Sequence, residues 1–281
     1  MNIRFIRRRI KSAQNIAQIT QAMEMVAASK MKRAQEKALM GKPYCQKIYQ
    51  VVAELAAKTD PTLHPLLTSP LGKGVLVVLI STNKGLCGGL NTELFWASLN
   101  WFPSQIPTDF ITLGKKGALF VARIGRNLIA DFSEKVPFSE NVGAIASLAT
   151  EEFLKGKYKE VNLVYNDFIS VLRWQPEKKT ILPLKLPPLE EREFFAEFLM
   201  EPSYDFIFEA LLPHYLEVQI RASILSAEAA EHVARMLAMR NATDNALELV
   251  RDLTLEYNKT RQQGITAEIA DIVTAKRAVE G

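Results

Sequence analysis

Residues 213–279 read PHYLEVQIRASILSAEAAEHVARMLAMRNATDNALELVRDLTLEYNKTRQQGITAEIADIVTAKRAV, and this stretch decides the fold. From Leu211 the positions Leu211, Tyr215, Val218, Ala222, Leu225, Ala229, His232, Met236, Met239, Thr243, Ala246, Val250, Leu253 and Tyr257 recur at alternating steps of four and three. A mean period of 3.5 keeps one stripe of a helix facing a partner helix and winds the pair left-handed. Pro213 suits the first turn of a helix, and no glycine interrupts before Gly264, so one unbroken helix is expected from residue 213. At ~1.5 Å per residue it would run roughly 100 Å, more than a core of this size needs, and is expected to protrude.

A protruding stripe needs a cover. The other long segment free of breakers is at the opposite end of the chain, where Ile3, Ile6, Ile10, Ala13, Ile16, Ile19, Met23 and Val26 recur at three and four. These steps are less regular, so this seam is expected to drift around its helix. With a whole domain between them, the two helices meet most easily as an antiparallel pair. The alternative is two core helices of an ordinary helical domain.

The chain has 281 residues, 48% of them apolar, and can bury a substantial core. Its formal charge is +4, but residues 1–42 hold ten Lys or Arg against Glu24 and Glu36 alone. Such a segment can meet nucleic acid, anionic lipid or an acidic protein surface, or simply be a solvated face. Cys45 and Cys87 stand far apart with no metal-ligand spacing around them, which argues against a disulfide scaffold or zinc site and fits a reducing compartment. The longest apolar run, residues 75–80, is strand-sized and far short of a bilayer span. The Arg-rich start lacks the serines of a transit peptide and is read as mature protein.

Taken in order, residues 1–58 are expected to be helical with a kink at Gly41 and Pro43, and residues 59–74 to form a linker. Strands are expected at 75–80, 110–113, 128–132 and 161–165, with helices at 92–101, 115–123 and 142–153 between them. That alternation predicts a doubly wound α/β domain. Two further strands, 169–174 and 180–184, are expected to form an edge hairpin across QPEKK. Residues 187–213, rich in phenylalanine, read as a connector. The expected fold class is α/β plus α: a long antiparallel coiled coil of terminal helices, 1–58 and 213–281, with a Rossmann-like α/β domain inserted over 59–212.

No residues assemble a catalytic constellation. The turn Gly85-Leu86-Cys87-Gly88-Gly89 sits where an α/β fold binds phosphate, yet its spacing is neither GxGxxG nor GxxxxGK[ST], and tight turn packing explains the glycines better. Cys87 has no histidine near it in sequence, His232 falls on the seam where a polar residue fixes register, and the adjacent pairs Glu151-Glu152 and Glu190-Glu191 diverge on any regular element. No catalytic residue, cofactor or metal is expected. A free-standing α/β enzyme with helical arms stays open as an alternative, although the missing P-loop counts against it. So does nucleic-acid binding by the basic helix, which must also bury an apolar stripe.

Three segments together carry a family resemblance: IKSAQNIAQITQAMEMVAASKMKRAQ (10–35), STNKGLCGGLNTELF (81–95) and RMLAMRNATDNALELVRDLTLEYNKTRQQGITAEIADIV (235–273). In order and spacing along the whole chain they resemble the gamma subunits of F-type ATP synthases. The resemblance implies a non-catalytic central stalk of a proton-translocating synthase, with the paired helices inside a hexamer of alpha and beta subunits. It places the inserted domain on the epsilon subunit and the c-ring. Rotation of this shaft would take the beta subunits in turn through states of different nucleotide affinity. It further implies a peripheral protein on the cytoplasmic side of a bacterial inner membrane, touching the membrane only through the c-ring, with no nucleic-acid partner.

Residue by residue, the segment around Met23 resembles the family's contact with the acidic lever of the beta subunit, with Lys30, Lys32 and Arg33 supplying complementary charge. Arg261 and Gln262 match the pair that engages a loop of the same subunit. Glu201 falls in the foot region that faces epsilon and the c-ring. Ile265, Thr266, Glu268 and Asp271 match the C-terminal signature. Ala275 and Lys276 replace its Gly-Ala pair, which implies a stiffer, charged tip. The cysteine insertion of chloroplast relatives is absent, so thiol control is not expected.

Overall fold

The computed structural model describes residues 3–58, 64–68, 70, 72–185 and 203–280. In chain order its elements are α1 (Ile3–Lys58), β1 (Gly74–Ile80), α2 (Leu90–Trp101), β2 (Thr108–Leu113), α3 (Lys115–Arg123), β3 (Asn127–Asp131), α4 (Val142–Leu154), β4 (Tyr158–Ser170), β5 (Arg173–Leu182) and α5 (Tyr204–Glu280). The chain divides into two compact units, Met1–Ala27 with Arg235–Gly281, and Ala28–Ala234.

In the larger unit the strands form one sheet in the order β3-β2-β1-β4-β5. The pairs β1·β2, β1·β4 and β2·β3 are parallel, and β5 runs antiparallel to β4 at the edge. Every residue of β1 is buried, because helices cover both faces of a parallel sheet. On one face Val75, Val77 and Leu79 pack with Leu94 of α2 and Val121 of α3. On the other, Leu76, Val78 and Ile80 join Ile145 and Phe153 of α4, Val52 and Leu55 of α1, and Tyr215 and Ile220 of α5.

Four points of the structure bear on the sequence expectations. First, α1 is one helix over Ile3–Lys58, as expected, with Pro43 in its interior. An interior proline costs ~3 kcal/mol, but the continued helix buries Val52 and Leu55 completely, each contributing roughly 1.5–3 kcal/mol. Second, α5 starts at Tyr204 with Pro213 in its interior. The Ser203 hydroxyl accepts from the Phe206 N–H, capping the helix nine residues earlier, and Phe208 and Leu212 are buried in the added turns.

Third, β4 and β5 are one long hairpin that turns at Val171 and Leu172, so QPEKK lies inside β5 rather than in the turn. Pro176, opposite Asn166, is tolerated because an edge strand needs ladder bonds on one side only.

Fourth, the seam of α1 keeps the expected positions Ile3, Ile6, Ile10 and Ala13 and departs from the expected ones after Ala13. In the smaller unit its inward residues are Ile6, Ala13, Ala17 and Ala27, all buried, with Ile3, Ile10 and Thr20 half-buried. Ile16, Ile19 and Val26 are 50%, 60% and 57% exposed. Positions 3, 6, 10, 13, 17 and 20 alternate strictly between three and four, so the 3.5 period continues through small residues while the larger isoleucines fall beside it. On α5 the same unit buries Met239, Thr243, Ala246 and Leu253, as the sequence led one to expect. The Thr20 and Thr243 hydroxyls lie 2.7 Å apart, and an added Cβ on Gly264 would meet the Ile3 side chain at 4.0 Å. Low numbers on α1 therefore face high numbers on α5, and the pair is antiparallel.

Candidate functional site

In the smaller unit the two helices meet along a seam that mixes Ala13, Ala17 and Ala246 with Ile6, Met239 and Leu253. Inside that seam the Thr20–Thr243 pair bonds across the helices, while the Thr243 hydroxyl also reaches the Met239 carbonyl oxygen at 2.9 Å. A polar pair in an apolar seam fixes axial register. No local signal marks the pair, because Thr20 lies outside the isoleucine stripe.

Past Gly264, which is half-buried, every residue of α5 from Ile265 to Lys276 is exposed. Arg261, Gln262, Ile265, Thr266, Glu268 and Asp271 all project from this end of the helix into solvent, so the structure brings these six expected residues onto one segment. Thr266 spends its hydroxyl on the Gln262 carbonyl at 2.9 Å. Among them stand Ile265, Ile269, Ile272 and Val273, between 45% and 69% exposed. On α1, Met23 is half-buried, and Ile16, Ile19, Met25 and Val26 present a second uncovered apolar stripe.

In the larger unit Lys30, Lys32 and Arg33 are exposed on α1. Glu201 lies outside the described residues. His232 is buried, with Nε2 3.9 Å from the Glu228 carboxylate. The adjacent His232 ring holds the Glu228 carboxyl below its ordinary range against the opposing effect of burial, and Lys37 and Lys30 act in the same direction.

The glycine-rich turn after β1 is filled by its own side chains. Asn91 donates to the Thr82 hydroxyl at 2.8 Å and to Cys87 Sγ at 3.4 Å, and Thr82 donates to the Lys84 carbonyl at 2.8 Å. Asn83 donates to the Ser133 carbonyl and accepts from the Lys115 N–H. Cys87 is buried against Leu90, Ala230 and Ala234. The turn thus docks the sheet onto α5. Among the described residues no group of three or more His, Cys, Asp or Glu is placed to hold a metal ion, and no helix is long and apolar enough to cross a membrane.

One charged cluster, at the starts of β2 and β4, was not anticipated. Asp109 accepts from Lys157 and from the Tyr158 hydroxyl. Burial raises the Asp109 pKa, but hydrogen bonds from Lys157, Tyr158 and Asn127 outweigh it and the net shift is downward. Lys157 is raised by its bond to Asp109, and burial followed by its own hydrogen bond to Asp109 pushes Tyr158 up to about 12. The depressed carboxyl contributes stability above its unfolded value, which is lost as pH falls through the folded value. The raised Lys and Tyr contribute below their unfolded values and lose it as pH rises through the folded ones. Stability from this cluster is therefore level between about pH 4 and pH 10. Asp109→Asn is expected to lower the denaturation midpoint at pH 7, and the gap from the parent should close as the measurement is repeated toward pH 3.

The ATP synthase family model matches residues 2–279. An ATP synthase gamma chain of Roseiflexus castenholzii is 40% identical over 284 residues, covering 98% of both chains. One from Dehalococcoides mccartyi is 40% identical over 287 residues, covering 99% of both. Among solved structures, a rotor chain of the Euglena gracilis mitochondrial ATP synthase has a TM-score of 0.65 at 19% identity, with 94% of this chain and 98% of that chain covered, which shows the shared fold. Paired terminal helices with a five-stranded sheet inserted between them in sequence, and a match from end to end, lead to one conclusion: this chain belongs to the ATP synthase gamma chain family.

Proposed function

We propose that the chain is the central rotary shaft of a proton-translocating F-type ATP synthase, carrying torque between a membrane ring of c subunits and a catalytic hexamer of alpha and beta subunits. The observation that carries this reading is the end of α5. Beyond Gly264 the described side chains of the helix, through Lys276, are all exposed, and they include Ile265, Ile269, Ile272 and Val273. A lone helix of this length is marginal in water, so an outside surface must enclose it. The apolar stripe of Ile16, Ile19 and Val26 makes the same demand on α1.

Met23, Lys30, Lys32 and Arg33 are assigned to contact with an acidic element of the beta subunit, and Arg261 and Gln262 to one of its loops. Ile265, Thr266, Glu268 and Asp271 form the tip. Glu201 is assigned to the foot facing epsilon and the c-ring. The chain is read as non-catalytic, which is supported by the self-satisfied hydrogen bonding of the glycine-rich turn. It would lie on the cytoplasmic side of a bacterial inner membrane, held there through the c-ring.

The test is reconstitution with alpha and beta subunits. ATP hydrolysis should require this chain, and an equal rate without it would overturn the reading. In the same particle, Arg261→Ala combined with Gln262→Ala should lower hydrolysis roughly tenfold, the equivalent of ~1.4 kcal/mol. Both residues are exposed, so thermal unfolding of the free chain should not move.

A further inference from the structure

The larger unit contains a cavity of about 680 Å3 between α1, over residues 35–45, and α5, over residues 214–229. That volume falls within the range of small-molecule sites, roughly 300–1,000 Å3. Its walls are Leu39 and Cys45 from α1 and Val218, Leu225 and Ala229 from α5, with Phe168 of β4 beside them. Three of these are heptad positions: Val218 and Ala229 are buried, whereas Leu225 is half-buried and its seam neighbour Ala222 is exposed, so the seam is incompletely covered at this level.

The polar groups around this apolar space are mostly committed to one another. The Tyr44 hydroxyl bonds His214 Nε2, and His214 Nδ1 lies 3.6 Å from the Glu217 carboxylate. The Ser226 hydroxyl donates to Asp167 at 2.6 Å and accepts the Phe168 N–H at 2.9 Å. Arg221, one turn beyond Glu217, also lines the cavity, and it makes no ion pair or hydrogen bond among the described residues. An apolar chamber with a single uncommitted guanidinium has the complement of a molecule with an apolar body and one anionic head, since arginine pairs carboxylate and phosphate in fork geometry.

We propose that this cavity binds a single-chain anionic amphiphile, its chain between α1 and α5 and its head on Arg221. The cavity is half open to solvent and spans only about three turns of α1, which is short for seating a partner helix and long enough for a single alkyl chain.

Cys45 lines the wall and Cys87 is buried elsewhere, so alkylation of Cys45 reports occupancy while Cys87 serves as the reference. The reconstituted complex is treated with N-ethylmaleimide in the presence of dodecanoate, dodecyl phosphate or uncharged dodecanol, and modification is read peptide by peptide. At ten times its Kd an anionic probe should slow Cys45 about tenfold without changing Cys87, and dodecanol should protect far less. Arg221→Gln should reduce protection to the dodecanol level, and Ala222→Phe, which fills the chamber, should abolish it. The better of the two anionic heads identifies the source as a free fatty acid or a phospholipid fragment. Unchanged Cys45 alkylation, equal protection by dodecanol, or full protection in the Arg221→Gln variant would each overturn the proposal.

Discussion

Leu253→Asp is expected to separate the two terminal helices while leaving the sheet intact. Leu253 is 4% exposed on the seam of the smaller unit, between the level where Thr243 meets Thr20 and the level where Gly264 meets Ile3. An aspartate there loses the transfer energy of the leucine and buries an unpaired charge in a seam of alanines and isoleucines. The combined penalty is ~3–5 kcal/mol. At ~2–4 °C per kcal/mol for a chain of this size, the helical signal should melt about 10 °C or more earlier. Trp96, Trp101 and Trp174 all belong to the larger unit. Tryptophan fluorescence should therefore keep its parental transition while far-ultraviolet circular dichroism shifts. Coincident shifts in both would contradict the division into two units.

Gly114→Ala should do the reverse. Gly114 has φ +98°, and a Cβ there would lie 2.3 Å from the Ser81 carbonyl oxygen. Ser81 cannot withdraw easily, because its N–H donates to the Leu113 carbonyl and its hydroxyl accepts the Gly117 N–H. The left-handed backbone costs ~1–2 kcal/mol and the overpacking a further ~1–3 kcal/mol. Strand β1 and the turn that docks it onto α5 carry that strain. The tryptophan transition should fall by several degrees while the coil keeps its own. Unchanged fluorescence melting would mean that Ser81 and Gly114 have more room than the structure gives them.

What the sequence made legible follows the sharpness of each local signal. Strand β1 stood out because six consecutive apolar residues can only be a strand covered on both faces, and the limits of α3 matched because glycines bracket it. The hairpin was misplaced because its true turn, Val171-Leu172, holds no glycine or asparagine, whereas Pro176 and two lysines imitate a turn inside an edge strand. The α1 seam was misread for a related reason. Beyond Ala13, apolarity points to Ile16 and Ile19, but period and packing select Ala17 and Thr20. The same displaced isoleucines are functionally informative, since they remain outside the coil and need another surface.

Of the candidate site, Arg261, Gln262, Ile265, Thr266, Glu268 and Asp271 were picked out by resemblance, and all six are exposed. The threonine pair, the Asp109–Lys157–Tyr158 cluster and the chamber beside Arg221 could not. Each depends on residues brought together across at least 48 positions of chain, with no motif to mark them.

The central claim is that this chain turns within a hexamer it does not itself catalyse for. A bead fixed to a cysteine introduced at Leu119, 54% exposed on α3, reports rotation directly when the alpha and beta subunits are anchored to glass. With ATP supplied, the bead should revolve continuously in one direction. ATP hydrolysed at the normal rate beneath a stationary bead would contradict the account.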